Sequence, residues 1–167
     1  LLTTNCNVKN VREKIESIVK QTKKLLKKSN QLLRGKYDFE ISHHYGLEKF
    51  YKFGLVMLTI LNREYCKKIL ILFPGQKHPE QWHKKKEETF HVLYGKINLK
   101  LNGSLKQYLP GSIITIKPGV RHEFSSTSGS VIEEISTTDI RKDSFYIDKR
   151  IMKNLNRKTQ ITYHWDN

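Results

Sequence analysis

The chain has 167 residues, is 37% hydrophobic, and carries 31 Lys and Arg against 16 Asp and Glu, for a formal net charge of +15. That length suits one domain plus some extra chain, and no run of about 18 apolar residues exists to span a membrane as a helix. The charge first suggests nucleic acid, but ten basic and two acidic residues fall between Lys9 and Lys36; the remaining excess is spread thinly and no nucleic-acid module is visible, so no nucleic-acid partner is expected.

Residues 1–36 read as a basic amphipathic helical segment. Val8, Val11, Ile15, Ile18, Thr22, Leu25, Ser29 and Leu32 alternate spacings of three and four, which predicts a helix over 8–33 with Gly35 as its stop signal. Such a helix packs on a barrel or on a dimer partner; the alternative is a linker to an upstream domain or an anionic surface. From Tyr37 the pattern changes to short strands, expected near 38–41, 54–61, 65–73, 80–83, 88–94, 96–102, 105–109, 112–116, 121–125 and 130–136. Turns centred on Gly103, Gly111 and Gly119 separate several of them, and the series predicts a mostly β antiparallel jelly-roll barrel over 37–140. Residues 141–167 read as a polar tail packing on the barrel through Tyr146, Ile151, Tyr163 and Trp165, with one short helix near 148–154.

No signal peptide opens the chain, and the two cysteines, Cys6 and Cys66, have no metal-like spacing. Free thiols in a reducing, cytoplasmic setting follow from this pattern. The first residue is Leu1 rather than Met, which fits a domain cut from a longer polypeptide.

The stretch Pro74–Gly95 carries the chemistry. Gln81 and His83 are two apart, so on a strand they share one face. After a turn, Glu88, Phe90 and Val92 share a face, and the apolar partners mark it as the inward one. A carboxylate aimed into an apolar barrel is costly unless paired, protonated or bound to a cation. His122 follows the turn Pro118-Gly119 and shares its parity with Phe124. Two imidazoles, a carboxylate and an amide oxygen suit a divalent Mn, Fe, Co, Ni or Zn.

Each residue also has a plainer reading. Glu88 could pair with Lys84 or Lys86, and Gln81 could be a hydrogen-bonding core amide. His78 reads as a loop residue that reaches the site only if a bulge re-aims it. His43 and His44 read as surface or interface residues, one of which could reach the barrel mouth, and Trp82 and Tyr94 as packing. Lys84, Lys85 and Lys86 read as a solvated turn, from which one ammonium could hold a substrate carboxylate or phosphate; Lys86 and His78 are the substrate-binding candidates. Of the adjacent Glu133 and Glu134 only one faces inward. Parity with Val131 and Ile135 slightly favours Glu133.

Gly75, Gln81, His83, Glu88 and Gly95, followed by Gly111, Pro118-Gly119 and His122, have the spacing of the paired signatures of the cupin family, which this stretch resembles over about 70–136. In that family two histidines two apart, a Glu and a later His converge on one metal inside a small barrel. The resemblance therefore implies Gln81, His83, Glu88 and His122 as metal ligands, with Gln81 standing where the first His is expected and Lys117 where the second block usually has Pro. His83-Lys84-Lys85-Lys86-Glu87-Glu88 with Val131–Ser136 is similar to the D-lyxose isomerase branch of sugar isomerases, and that likeness implies Glu134 as the catalytic residue near the substrate. Ser42–Gly46, Asn62–Lys68 and Asp143–Tyr146 resemble the C-terminal cupin domains of sialic acid synthase-like proteins.

These readings predict a metal-dependent sugar isomerase or epimerase of sialic acid-like or surface-polysaccharide metabolism. An ion would act as Lewis acid toward an enediolate while Glu134 moves a proton between adjacent carbons. The alternative is a non-catalytic module that binds a sugar or sugar acid and regulates a fused synthase. A homodimer is expected, because exposed sheet edges need covering.

Overall fold

The structure, a computed structural model, describes residues 2–140 and 142–165, with side chains of the first helix described from Asn10 onward. Val8 of the helical seam and the Cys6 thiol lie outside the described side chains. Helix α1 spans Leu2–Lys28. It ends before residue 33 because Asn30, not Gly35, takes the left-handed conformation (φ 55°) that closes a helix. The Gln31 amide then donates to the Leu26 carbonyl at 3.0 Å and the Asn30 amide to Lys27 at 3.1 Å, the paired bonds of a Schellman stop. The predicted seam is only partly used. Ile18, Val19, Thr22 and Leu26 are buried, whereas Val11 and Leu32 are 45% and 73% exposed. This wider stripe docks on the barrel itself, against Phe39, Ile41, Val56, Leu58, Ile69, Ile71 and Val131.

Among the described residues, twelve strands follow in two antiparallel sheets. They are β1 (Gly35–His43), β2 (Gly54–Asn62), β3 (Tyr65–Leu72), β4 (Gln76–His83), β5 (Glu88–Gly95), β6 (Ile97–Leu101), β7 (Ser104–Tyr108), β8 (Ile113–Ile116), β9 (His122–Ser126), β10 (Ser130–Thr137), β11 (Ser144–Tyr146) and β12 (Lys158–Trp165). One sheet has the order β12-β1-β2-β3-β10-β5-β8, the other β11-β4-β9-β6-β7. Ten strands lie where the periodicity places them. The short α2 (Phe50–Phe53) precedes β2, and α3 (Lys149–Lys153) coincides with the helix expected near 148–154. The C-terminal segment is more than a helix and docking points: β11 pairs with β4, and β12 pairs with β1 over its whole length. Within Lys158–Trp165, Thr159, Ile161 and Tyr163 are half-buried and Trp165 is buried, alternating with exposed residues. This period-2 signal is easy to miss in a polar composition.

Between the sheets the barrel interior is graded from apolar to ionisable. On β3 the inward series runs Leu72, Leu70, Lys68, Cys66; on β10 it runs Ile132, Glu134, Ser136; on β5 it runs Val92, Phe90, Glu88. Leu55, Leu70, Leu72, Phe90, Val92, Ile97, Leu99, Phe124 and Ile132 fill the apolar end. The charged ends of these strands converge on one place, which is where the site lies.

Candidate metal centre

Strand β4 carries Gln81 and His83 on its inward face, with a register shift between His78 and Gln81. The following turn is tied down by Asp143, whose carboxylate accepts from the backbone N–H groups of Lys84, Lys85 and Lys86 at 2.8–3.2 Å. These donors hold the Asp143 carboxyl below its ordinary range against the opposing effect of burial. The turn delivers Glu88 to the start of β5, and β9 brings His122 opposite Gln81. His83, Glu88 and His122 offer ligand atoms that all lie within 4.8 Å of one another, and all three residues are buried.

The hydrogen bonds behind the ligands decide what the site can hold. His83 Nδ1–H donates to the Asp143 carbonyl at 2.8 Å, and His122 Nδ1–H to the Val120 carbonyl at 3.1 Å. A neutral imidazole fixed in this way presents a lone pair at Nε2. Both Nε2 atoms face the Glu88 carboxylate, at 3.2 and 3.3 Å, and Glu88 Oε2 has no hydrogen-bond donor. Imidazole nitrogens facing a carboxylate in a buried site are satisfied by a positive charge between them, whether a proton or a metal ion. Burial pushes the His122 imidazolium down, with Glu88 opposing, so His122 favours its neutral, ligating form. Burial raises the Glu88 carboxyl, but the Lys86 ammonium leads the charges that hold it well below the usual carboxylate range. Gln81 Nε2 lies 3.5 and 3.3 Å from the two Nε2 atoms, while its Oε1 is buried without a partner. Turning the carboxamide over places that oxygen, as a further ligand atom, beside the same two Nε2 atoms. The residues therefore fit a divalent cation held by two imidazoles, one carboxylate and one amide oxygen.

Lys86 does not lie in a solvated turn. It is 5% exposed, because its side chain folds inward to three carboxylates: Glu88 Oε1 at 2.6 Å, Glu134 Oε1 at 3.2 Å and Asp139 Oδ1 at 3.5 Å. Lys68 joins the group at 2.8 Å from Asp139 Oδ2. Neither Lys68 nor Asp139 is a site candidate from the sequence alone; the inward parity of Lys68 with Leu70 and Leu72 is the signal that could have found it. Ser136 Oγ also donates to Glu134 Oε1, at 3.1 Å. Glu134 is the inward member of the adjacent pair, while Glu133 pairs outside with Lys67 at 2.7 Å. The parity with Val131 misleads because the outer face of this sheet is itself apolar beneath α1.

Three histidines also depart from expectation. His78 is in a strand, not a loop, and the irregularity after it leaves the ring stacked on Phe124 at 4.7 Å rather than among the ligands. His43 and His44 are buried, not at the surface. His44 donates from Nδ1 to the Phe53 carbonyl at 2.6 Å and lies 4.7 Å from the His78 ring. Trp82 packs, stacked on Phe145 with ring centroids 4.6 Å apart.

Residues 68–135 match the model of the cupin domain family. The barrel has the fold of a cupin domain over that stretch. The curated relatives extend the likeness beyond that stretch. A D-lyxose/D-mannose isomerase of Thermosediminibacter oceani is 29% identical over 173 aligned positions, covering 85% of this chain and 95% of the relative. A D-lyxose ketol-isomerase of a Thermofilum species is 29% identical over 65% of this chain and 77% of its own. Among solved structures, the L-ribose isomerase of Cellulomonas parahominis shares the fold with a TM-score of 0.69 at 13% identity, over 84% of this chain and 94% of that one.

Proposed function

We propose that this cupin is a metal-dependent aldose–ketose isomerase acting on a small open-chain sugar of the D-lyxose or D-mannose kind. The observation that carries the reading is the ligand cluster His83–Glu88–His122 bridged by Lys86 to the second buried carboxylate, Glu134. The relatives described above, curated as D-lyxose isomerases, support the substrate class. When bound, a divalent Mn, Fe, Co, Ni or Zn at His83, Glu88, His122 and Gln81 would supply Lewis acidity toward adjacent carbonyl and hydroxyl oxygens.

The chain's own groups account for the carbon-to-carbon proton transfer, while the proton passing from the hydroxyl to the carbonyl oxygen moves within the substrate's own pair of oxygens. Glu134 is the general base, removing the proton from the carbon next to the carbonyl and returning it to the neighbouring carbon. Lys86 and Ser136 both donate to its Oε1, which fixes the carboxylate and leaves Oε2 to meet the substrate. The Lys86 ammonium, 3.2 Å from Glu134 Oε1, favours negative charge on the enediolate oxygens. Asp143 holds the turn that aims Lys86 and Glu88, and its backbone carbonyl orients His83.

The test is Glu134→Gln beside wild type, both loaded with Mn, over a panel of pentoses, hexoses and nonulosonic acids. Interconversion and exchange of the carbon-bound proton with deuterated water should fall by roughly 10²–10⁴-fold, while sugar binding persists. Sugar binding by wild type without any exchange would instead favour the non-catalytic reading, in which Gln81 has weakened the centre and the module senses a sugar or sialic acid-like compound for a partner synthase.

A further inference from the structure

Directly beside the ligand cluster lies a second buried polar group that the proposed reaction does not use. Tyr146 of β11 pairs across from Gln81 of β4, so its side chain stands on the same inward face. Its hydroxyl is 3.0 Å from His44 Nε2 and 3.5 Å from His78 Nε2. All three residues are buried, and the three rings meet within 4.7–5.9 Å of one another.

The direction of each hydrogen bond follows from its anchor. His44 Nδ1 faces the Phe53 carbonyl at 2.6 Å and must carry the proton. Burial pushes the His44 imidazolium down to about 4, so the ring is neutral and Nε2 is an acceptor. The Tyr146 hydroxyl donates to it; Ser42 Oγ, at 3.5 Å, is the longer alternative. With its proton committed, the Tyr146 oxygen is an acceptor toward His78. Burial also holds His78 neutral, with its imidazolium well below the ordinary range. A proton on His78 Nδ1 would find no acceptor, because that atom is buried without a partner. Leaving a buried N–H unsatisfied costs about 1–3 kcal/mol, so the proton sits on Nε2 and Nδ1 is a bare lone pair. Among the described residues, the buried acceptors without a partner include Gln81 Oε1 and Glu88 Oε2 as well as His78 Nδ1. The first two belong to the cation site, and the third is left for a donor that the protein does not supply.

We propose that the chain Phe53 carbonyl–His44–Tyr146–His78 fixes the tautomer of His78 so that Nδ1 accepts a hydrogen bond from a substrate hydroxyl beyond the two oxygens at the His83–Glu88–His122 centre. The ligand class is a linear polyol or open-chain sugar with a hydroxyl at that position, and the device selects against its deoxy counterpart. A neutral imidazole fixed by a second residue is suited to this because it discriminates a hydroxyl from a hydrogen without adding charge. The inference rests on the sugar reading given above but not on turnover.

The experiment is nitrogen-15 NMR of the histidine side chains in the full chain, with xylitol as the probe, repeated on Tyr146→Phe. In wild type His78 should be the Nε2–H tautomer with an unprotonated Nδ1, and xylitol should move the Nδ1 resonance toward a hydrogen-bonded value. In folded Tyr146→Phe the tautomer preference should be lost, and xylitol affinity, by calorimetry, should fall about tenfold, the scale of one hydrogen bond. A deoxypentitol lacking the matched hydroxyl should bind wild type and Tyr146→Phe equally. A protonated Nδ1 in wild type, or a Tyr146→Phe protein that keeps both tautomer and affinity, overturns the proposal. The wild-type tautomer measurement needs no variant, so it decides the matter even if Tyr146→Phe does not fold. Failure of the isomerase reading alone leaves a different pattern: xylitol binds and shifts Nδ1, yet no sugar is turned over.

Discussion

Replacing Lys86 with methionine removes one charge from a buried group of carboxylates, and the structure sets the size and pH dependence of the loss. Lys86 Nζ lies within 2.6–3.5 Å of Glu88, Glu134 and Asp139, and the residue is 5% exposed. Breaking a buried pair by removing one partner costs about 3–5 kcal/mol, because the remaining charge is left uncompensated. At about 2–4 °C per kcal/mol for a chain of this size, Tm should fall by on the order of 6–20 °C near neutral pH. The sign with pH follows from Glu88. In wild type its carboxyl is held well below the ordinary range, so its stabilising contribution is present above the unfolded pKa of about 4.3 and is lost as pH falls through the folded value. Without Lys86, burial dominates and raises that carboxyl, so the variant loses stability as pH rises through the new value. The gap between the two proteins should therefore be widest near pH 7, narrow as pH falls through the variant's raised value, and close only below the wild-type folded value. Urea melts in the presence of chelator, at pH steps between these limits, measure it. A loss below about 1 kcal/mol at neutral pH, the range of an exposed pair, or a gap that does not narrow with acid, refutes the reasoning. A wild-type bound ion should add stability by mass action in both proteins.

The same geometry carries further expectations. His83→Ala and His122→Ala should each abolish stoichiometric transition metal in protein purified without a metal-affinity column, measured by plasma mass spectrometry, whereas Gln81→His should tighten binding. Metal affinity requires unprotonated imidazole, and the His122 imidazolium is shifted down. Protonation of His122 should therefore cost affinity only below the ordinary histidine pKa of about 6.5; calorimetric titration in which His122 alone imposes a loss above that value contradicts the assignment. Gly95→Ala should destabilise by about 1–3 kcal/mol, because Gly95 has φ 74° and an added Cβ would lie 2.1 Å from the Gly129 carbonyl oxygen; thermal melting checks it. Leu26→Ala, at the buried end of α1, should cost about 2–5 kcal/mol; a change under about 1 kcal/mol would mean that the helix does not dock as described.

What could be read beforehand follows from which forces are local. Strand parity depends only on neighbours two apart, so Glu88 with Phe90 and Val92 declared its face in the sequence. The same rule was ambiguous at Glu133 and Glu134, because β10 is apolar on both faces: Ile132 looks into the barrel and Val131 lies under α1. Lys86 was illegible for a different reason. Three consecutive lysines read as solvent-facing, and nothing local says that Asp143, 57 positions away from Lys86, will pull the turn tight and swing one of them inward. His44 and Tyr146 are separated by 102 positions, and their contact exists only because β11 returns to pair with β4. The helix stop moved from Gly35 to Asn30 because asparagine also tolerates the left-handed conformation.

The Gln81 substitution is best judged by charge rather than by ligand count. Lys86 and Lys68 supply two ammoniums against the carboxylates of Glu88, Glu134 and Asp139. In their ordinary ionised forms these five groups leave one negative charge in a buried space. A divalent cation turns that into one positive charge, and the balance is the same whether position 81 is glutamine or neutral histidine. Exchanging the imidazole for an amide therefore changes the strength of one ligand bond but not the net charge that a cation would meet beside Glu88. The amide also has a resource that a histidine fixed through Nδ1 lacks. Its NH₂ end can donate to both neighbouring imidazoles when no ion is held, and its oxygen end can ligate when one is. A centre built this way should exchange its metal more readily than one with three histidines, and Gln81→His should slow release to a chelator more than it speeds uptake. Equal release rates in the two proteins would mean that the amide contributes nothing to holding the ion.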